Sequence, residues 1–135
     1  MEKLIEHGAD VNKLSYIDYK WPNEEQTFNS FEPAITTATR HGHTRICELL
    51  LKNNAKVNKT DSFSMTALHW ASSLNLIDLV GILIKYDANP NLLDLKNQSP
   101  LEKAIANGYM DVINLFVNNY SLEFKYRDYL LSAIQ

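Results

Sequence analysis

Four histidines and one cysteine are the side chains of this chain best suited to metal or nucleophile chemistry. His41, His43 and Cys47 fall as H-x-H-x3-C, and these are residue types that bind zinc. His43 and Cys47 are four residues apart, so on a helix they share a face. Three ligands without a fourth do not close a structural zinc site. Cys47 also falls in an apolar column of the pattern below, where it reads as a small buried hydrophobe. Thr66 and His69 are neighbours within one turn, with no nucleophile, base and orienting group converging on a pocket. Glu24 and Glu25 are adjacent carboxylates in a polar stretch and read as solvated charge. A phosphate-cradling loop needs closely spaced glycines, and the chain has four in all. No catalytic residue, metal or cofactor is expected, and the chain reads as a non-enzyme.

The elements that carry these residues belong to a chain of 135 residues, the length of one ordinary domain. Hydrophobic residues make up 45%, enough for a continuous core. Lys and Arg number 13 against 16 Asp and Glu, and they are scattered. A nucleic-acid partner normally requires a basic stripe, so none is expected. No apolar run approaches the roughly 18 residues of a membrane span, and "MEKLIEHGAD" has no signal-peptide core. With Cys47 alone no internal disulfide forms, which suits a reducing, intracellular setting, cytoplasmic or nuclear.

The chain repeats itself. "PAITTATRHGHTRICELLLKNNAKVN" starts at Pro33, "TALHWASSLNLIDLVGILIKYDANPN" at Thr66 and "SPLEKAIANGYMDVINLFVNNYSLEF" at Ser99, a period of 33 kept without gaps. Ile35, Leu68 and Leu101 form one column, and Ala38, Ala71 and Ala104 a second. The small Ala column fits a short first helix packed closely on another. Gly42, Asn75 and Gly108 stand where that helix must end in a left-handed residue. The pairs Ile46/Cys47, Leu79/Val80 and Val112/Ile113, then Leu49/Leu50, Ile82/Leu83 and Leu115/Phe116, make the stripe of an amphipathic second helix. That helix is expected to end at Gly8, Asn54, Asp87 and Tyr120. Asp61 and Asp94 follow in matching places suited to tight turns. A two-helix unit of this size cannot bury its stripe alone, so the units must stack into a solenoid.

"TALHWA" and "SPLEKA" resemble the T-P-L-H-x-A opening of an ankyrin repeat, and "LIEHGADVN", "LLLKNNAKVN" and "LIKYDANPN" resemble its L-L-x-x-G-A-D-V-N close. The resemblance implies an all-α repeat solenoid of helix-turn-helix units joined by β-turn or hairpin loops. It divides the chain into a partial repeat (1–12), an extended aromatic-rich inter-repeat loop (13–32), three repeats (33–65, 66–98 and 99–124) and a C-terminal cap or the start of a further repeat (125–135). The half-helix start favours an excerpt of a longer array, and Tyr126, Leu130 and Ile134 are spaced for a capping helix. "PAIT" in place of T-P-L-H and "YSLEF" in place of G-A-D-V-N imply less regular turns in the first and third units. His43 stands where the family commonly has His after Gly. His69 stands where the family's His ties neighbouring turns together.

The resemblance implies a protein–protein interaction module that binds a partner through a concave face of turn tips and first helices. Here that face maps to Arg40 and His41, then Ser62, Phe63, Met65, Trp70 and Ser73, then Leu95, Lys96, Gln98, Lys103 and Asn107. Phe63, Met65 and Trp70 are the unusual members, because turn tips are normally polar, and aromatic and Met side chains anchor interfaces. They could alternatively cover the seam between units. A second function class is a substrate-docking adaptor or regulatory region of a larger enzyme or ubiquitin-ligase-type complex. The resemblance further implies that the turn-closing Asn can be hydroxylated where a Leu stands eight residues earlier. Asn58 with Leu50 fits best, ahead of Asn12 with Leu4, and of Asn91, which follows Pro90. The partner's identity and the oligomeric state are open.

One stretch breaks the period. Asn58 to Thr66 and Asn91 to Ser99 are 8 steps each, whereas Asn12 to Pro33 is 21, so the connection that holds "SYIDYKWPNEEQTF" carries 13 extra residues. Insertions of this kind map to one face of a solenoid, often the binding face. Tyr16, Ile17, Tyr19 and Trp21 are therefore expected to cover the first unit, to grip a partner or to do both, and Tyr16, Tyr19, Trp21 and Phe28 are the expected partner contacts of this stretch.

Overall fold

The computed structural model describes residues 14–19 and 28–120. The expected partial repeat, Trp21, Asn12 and the C-terminal cap lie outside them. The described chain begins with a two-stranded antiparallel sheet, β1 (Leu14–Tyr19) against β2 (Phe28–Pro33), in register from Leu14↔Pro33 to Tyr19↔Phe28. Six helices follow in three pairs: α1 (Ala34–Arg40) with α2 (Thr44–Lys52), α3 (Ala67–Ser73) with α4 (Ile77–Lys85), and α5 (Pro100–Asn107) with α6 (Met110–Asn119). Each helix packs on its own partner and on its equivalent in the next unit, so α1–α3–α5 form one row and α2–α4–α6 the other. The chain is an all-α solenoid, with a hairpin leading into the first described helix pair. Residues 13–32, expected as an extended loop, contain most of that paired hairpin.

The columns of the sequence are the layers of the core. Ile35, Leu68 and Leu101, the Ala column, the Cys47/Val80/Ile113 column and the Leu50/Leu83/Phe116 column are all buried. The three Ala carbonyls also close the first helices. Ala38 accepts from the His43 N–H at 2.9 Å, Ala71 from Leu76 at 3.0 Å and Ala104 from Tyr109 at 3.0 Å. That reversal needs a left-handed residue just past the helix, supplied by Gly42 (φ 72°), Asn75 (58°) and Gly108 (69°). The second helices end the same way at Asn54 and Asp87. Tyr120 departs from the expected pattern with an extended φ of −124°. A bulky aromatic is disfavoured in the left-handed region. Its hydroxyl instead donates to the Ala88 carbonyl at 2.7 Å, tying the third unit back to the second.

The first helices start on two different devices. Thr66 and His69 form a capping box, as do Ser99 and Glu102, each N-cap oxygen accepting an amide and each N3 side chain accepting the N-cap N–H. Pro33 makes no side-chain cap. In its place the buried Glu32 carboxylate gathers Thr37 Oγ1 at 2.9 Å and the Arg40 guanidinium at 2.9 and 3.0 Å. Thr36, which holds the N3 place of His69 and Glu102, is left with a buried hydroxyl that has no partner among the described residues. The sequence departure "PAIT" thus keeps its helix and changes what holds the helix start.

Candidate functional site

The face made by the inter-unit turns and the α1–α3–α5 row is built on two aspartates. Asp61 Oδ1 accepts the amides of Phe63 and Met65, both at 2.9 Å, and Asp94 Oδ1 accepts those of Lys96 and Gln98 at 2.9 and 3.0 Å. Ser64 (φ 56°) and Asn97 (φ 58°) take the left-handed position that each turn requires. The second oxygen of each aspartate reaches the following helix: Trp70 Nε1 donates to Asp61 Oδ2 at 2.8 Å, and Lys103 Nζ sits 2.7 Å from Asp94 Oδ2. Burial alone pushes the Asp94 carboxyl up. Lys103 and the amides of Gln98 and Lys96 outweigh it and hold the carboxyl below its usual value.

Neighbouring turns are joined to each other. The Leu95 N–H donates to the Phe63 carbonyl at 3.1 Å, and the Asn89 N–H to Asn58 Oδ1 at 2.7 Å. His69 supplies a third link. Its Nδ1 accepts the Thr66 N–H at 3.1 Å, so Nε2 carries the proton and donates it to the Gln98 carbonyl at 3.0 Å. The ring is fully buried, and burial lowers its pKa below the ordinary histidine value, with the Gln98 bond opposing. It is a neutral structural strut in this position.

Among the expected contact residues, Phe63 stands out at 57% exposed, with Leu95 beside it at 69% and Leu93 at 50%. Lys96 is exposed, and among the described residues no ion pair holds it. His41 is exposed, donates Nδ1–H to the Thr37 carbonyl at 2.8 Å and stacks on His43 at 6.1 Å. Arg40 is half-buried, bound to Glu32, with its guanidinium 5.8 Å from the Trp70 ring centroid. Trp70 is itself half-buried and forms part of the seam between the first and second units. Met65 is a correction: it is buried, at 9% exposed, rather than displayed at a tip. It occupies the place just before the N-cap, equivalent to the buried Glu32, where the chain passes under the helix row. Lys103 lies on the face, but its charge is taken up by Asp94. Tyr16, Tyr19 and Phe28 fall in the hairpin strands, where the backbone register pairs Tyr19 with Phe28 and Tyr16 with Phe31.

The residues considered for chemistry do not converge. Cys47 is buried against Thr39 Oγ1 at 3.4 Å while His41 and His43 are exposed. Burial pushes the Cys47 thiol pKa up, away from the thiolate a metal needs. No group of three His, Cys, Asp or Glu side chains among the described residues is placed to hold a metal. No helix among them is long and apolar enough to cross a membrane. An open groove of about 450 Å³ on the outer row, lined by Glu48, Lys52, Ile77, Asp78 and Lys85, carries both signs of charge. Leu93 was missed by sequence reasoning. Its signal in the sequence is that it replaces the polar Thr60 in the 33-residue register, in a turn that also carries Leu92 and Leu95.

Comparison with known proteins agrees with this architecture. A family model described as ankyrin repeats (3 copies) matches residues 1–94 and again 35–128. An ankyrin repeat protein of fowlpox virus is 27% identical over 132 residues, which is 98% of this chain and 19% of the viral protein. The ankyrin repeat and KH domain-containing protein mask-1 of Caenorhabditis elegans is 30% identical over 116 residues, 86% of the chain and 4% of that protein. Neurogenic locus notch homolog protein 1 of Xenopus tropicalis is 39% identical over 54 residues, 40% of the chain and 2% of that protein. The chain spans about a fifth or less of the length of these relatives. By its repeat period, its stacked helix pairs and these matches, the chain belongs to the ankyrin repeat family.

Proposed function

We propose that the chain is a non-catalytic protein-interaction module that binds a partner protein through its inner face and the hairpin at its first unit. Ankyrin repeats are generally protein–protein interaction modules, and this chain has the features such a role needs. The carrying observation is the pair of exposed apolar tips, Phe63 and Leu95, joined backbone to backbone and held rigid by the Asp61 and Asp94 turns. Exposed apolar side chains on a preorganised loop lose little entropy on binding, which is the property of an interface anchor. The test is affinity capture with the full chain against a Phe63→Ala/Leu95→Ala variant, followed by direct binding of the captured protein. Loss of the partner from the variant with its thermal melting unchanged supports the reading. Equal capture overturns it.

A second reading makes the array a docking or regulatory segment of a larger assembly. The mask-1 relative, which by name carries a KH domain beside its repeats, favours it. Sequencing the full gene on both sides of residues 1–135 decides between them. The same interaction-module reading carries Asn58 as an asparaginyl hydroxylase substrate, tested by a gain of one oxygen on its peptide after incubation with such an enzyme.

A further inference from the structure

The inner face handles its charges asymmetrically. Among the described residues its carboxylates are spent inside the fold: Glu32 on Thr37 and Arg40, Asp61 on two amides and Trp70, Asp94 on two amides and Lys103. Both oxygens of each already accept a hydrogen bond. Glu102 accepts the Ser99 N–H of its own helix start. A basic ligand would have to break these bonds to find a counter-charge, and doing so would leave a partly buried donor unmatched. Lys96 is the opposite case. It is exposed, outside any ion pair among the described residues, one position from Leu95 and in the register place of Phe63. A cation at the rim of an exposed apolar pair is the arrangement that steers and orients an anionic partner.

Resting on the inner-face reading above, we propose that the partner segment is an acidic–apolar peptide. It seats an aliphatic or aromatic side chain against Phe63 and Leu95 and pairs an Asp or Glu carboxylate with Lys96. The acid sits close to the apolar anchor in the peptide, because Leu95 and Lys96 are adjacent in one turn. Specificity arises from both terms: the spent carboxylates offer basic peptides nothing, and the free ammonium favours acidic ones.

The experiment is selection from a random-peptide display library against the full chain, with anisotropy titration of the enriched peptides. The expected result is enrichment of sequences carrying Asp or Glu within a few residues of a large apolar side chain. Their affinity should fall about tenfold or more with Lys96→Glu and with Phe63→Ala/Leu95→Ala, stay unchanged with Lys85→Ala on the outer row, and weaken with added salt. All four positions are exposed, and a melting curve for each variant checks the fold. Basic or uncharged winners, or winners indifferent to Lys96→Glu but lost with Phe63→Ala/Leu95→Ala, overturn the acidic assignment and leave the inner-face reading standing. No enrichment, or winners indifferent to both inner-face variants, overturns the two together.

Discussion

At the scale of single residues, His69 and Asn58 are the informative side chains. His69 is held neutral: its folded pKa lies below the roughly 6.5 of an unfolded histidine. The unfolded chain therefore takes up a proton that the folded chain refuses as pH falls below about 6.5, so stability declines from there until the folded pKa is passed. Urea titrations at pH 7.5 and 5.5 should show a lower midpoint at the acid end, and His69→Gln should flatten that difference. Asp94 acts in a more acidic window. Its pKa is held down, so the stability it supplies is complete above about 3.9 and is lost as pH falls through the folded value. Asn58→Ala removes the acceptor of the Asn89 N–H, and a cost of about 0.5–1 kcal/mol is expected because that amide is near water. The burial of Met65 and the pairing of Lys103 were not legible in the sequence. Tip residues and residues beneath the tip are adjacent in the chain, and only the Asp61 and Asp94 turns decide which way each one faces. The Asp positions and the left-handed Gly42, Asn75 and Gly108 were legible because each is a local backbone requirement repeated at a fixed spacing, whereas the His69 tie was legible only through the resemblance of "TALHWA" to the family's opening motif.

At the scale of elements, the first unit differs from the other two. Its helix starts on Pro33 without a side-chain cap, and its Thr36, like Ser72 in the second unit, carries a fully buried hydroxyl with no partner among the described residues. Replacing Thr36 by the near-isosteric Val removes a buried polar group with no bond to lose. Thr36→Val should raise stability by roughly 1 kcal/mol, measured by chemical denaturation. The Ala column makes the opposite prediction. Ala71 is fully buried where α3 packs between α1 and α5, so Ala71→Leu should cost about 1–3 kcal/mol through overpacking. These helices were predictable because the apolar columns recur every 33 residues. The hairpin was not, because pairing Tyr16 with Phe31 and Tyr19 with Phe28 is a long-range choice of register that composition does not reveal.

At the scale of the whole molecule, the Asn58 and Leu95 bonds join the first and second units, His69 ties the second unit's first helix to the turn that leads into the third, and Tyr120 ties the third unit back to the second, so the turns form one continuous, rigid edge. In the proposed function the edge bearing exposed Phe63 and Leu95 is what the partner meets, while the described outer row presents a mixed-charge helical face on which Ile77 and Val117 are less exposed, at 38% and 41%. Under that proposal the partner sits on the inner face. Hydrogen–deuterium exchange of the full chain with and without saturating captured partner tests it directly. The account predicts slowed exchange in the turn amides around Phe63 and Leu95 and at the start of α3, with α4 unchanged. Protection confined to α4 and the groove beside Lys52 and Lys85, with the turns unaffected, would contradict it.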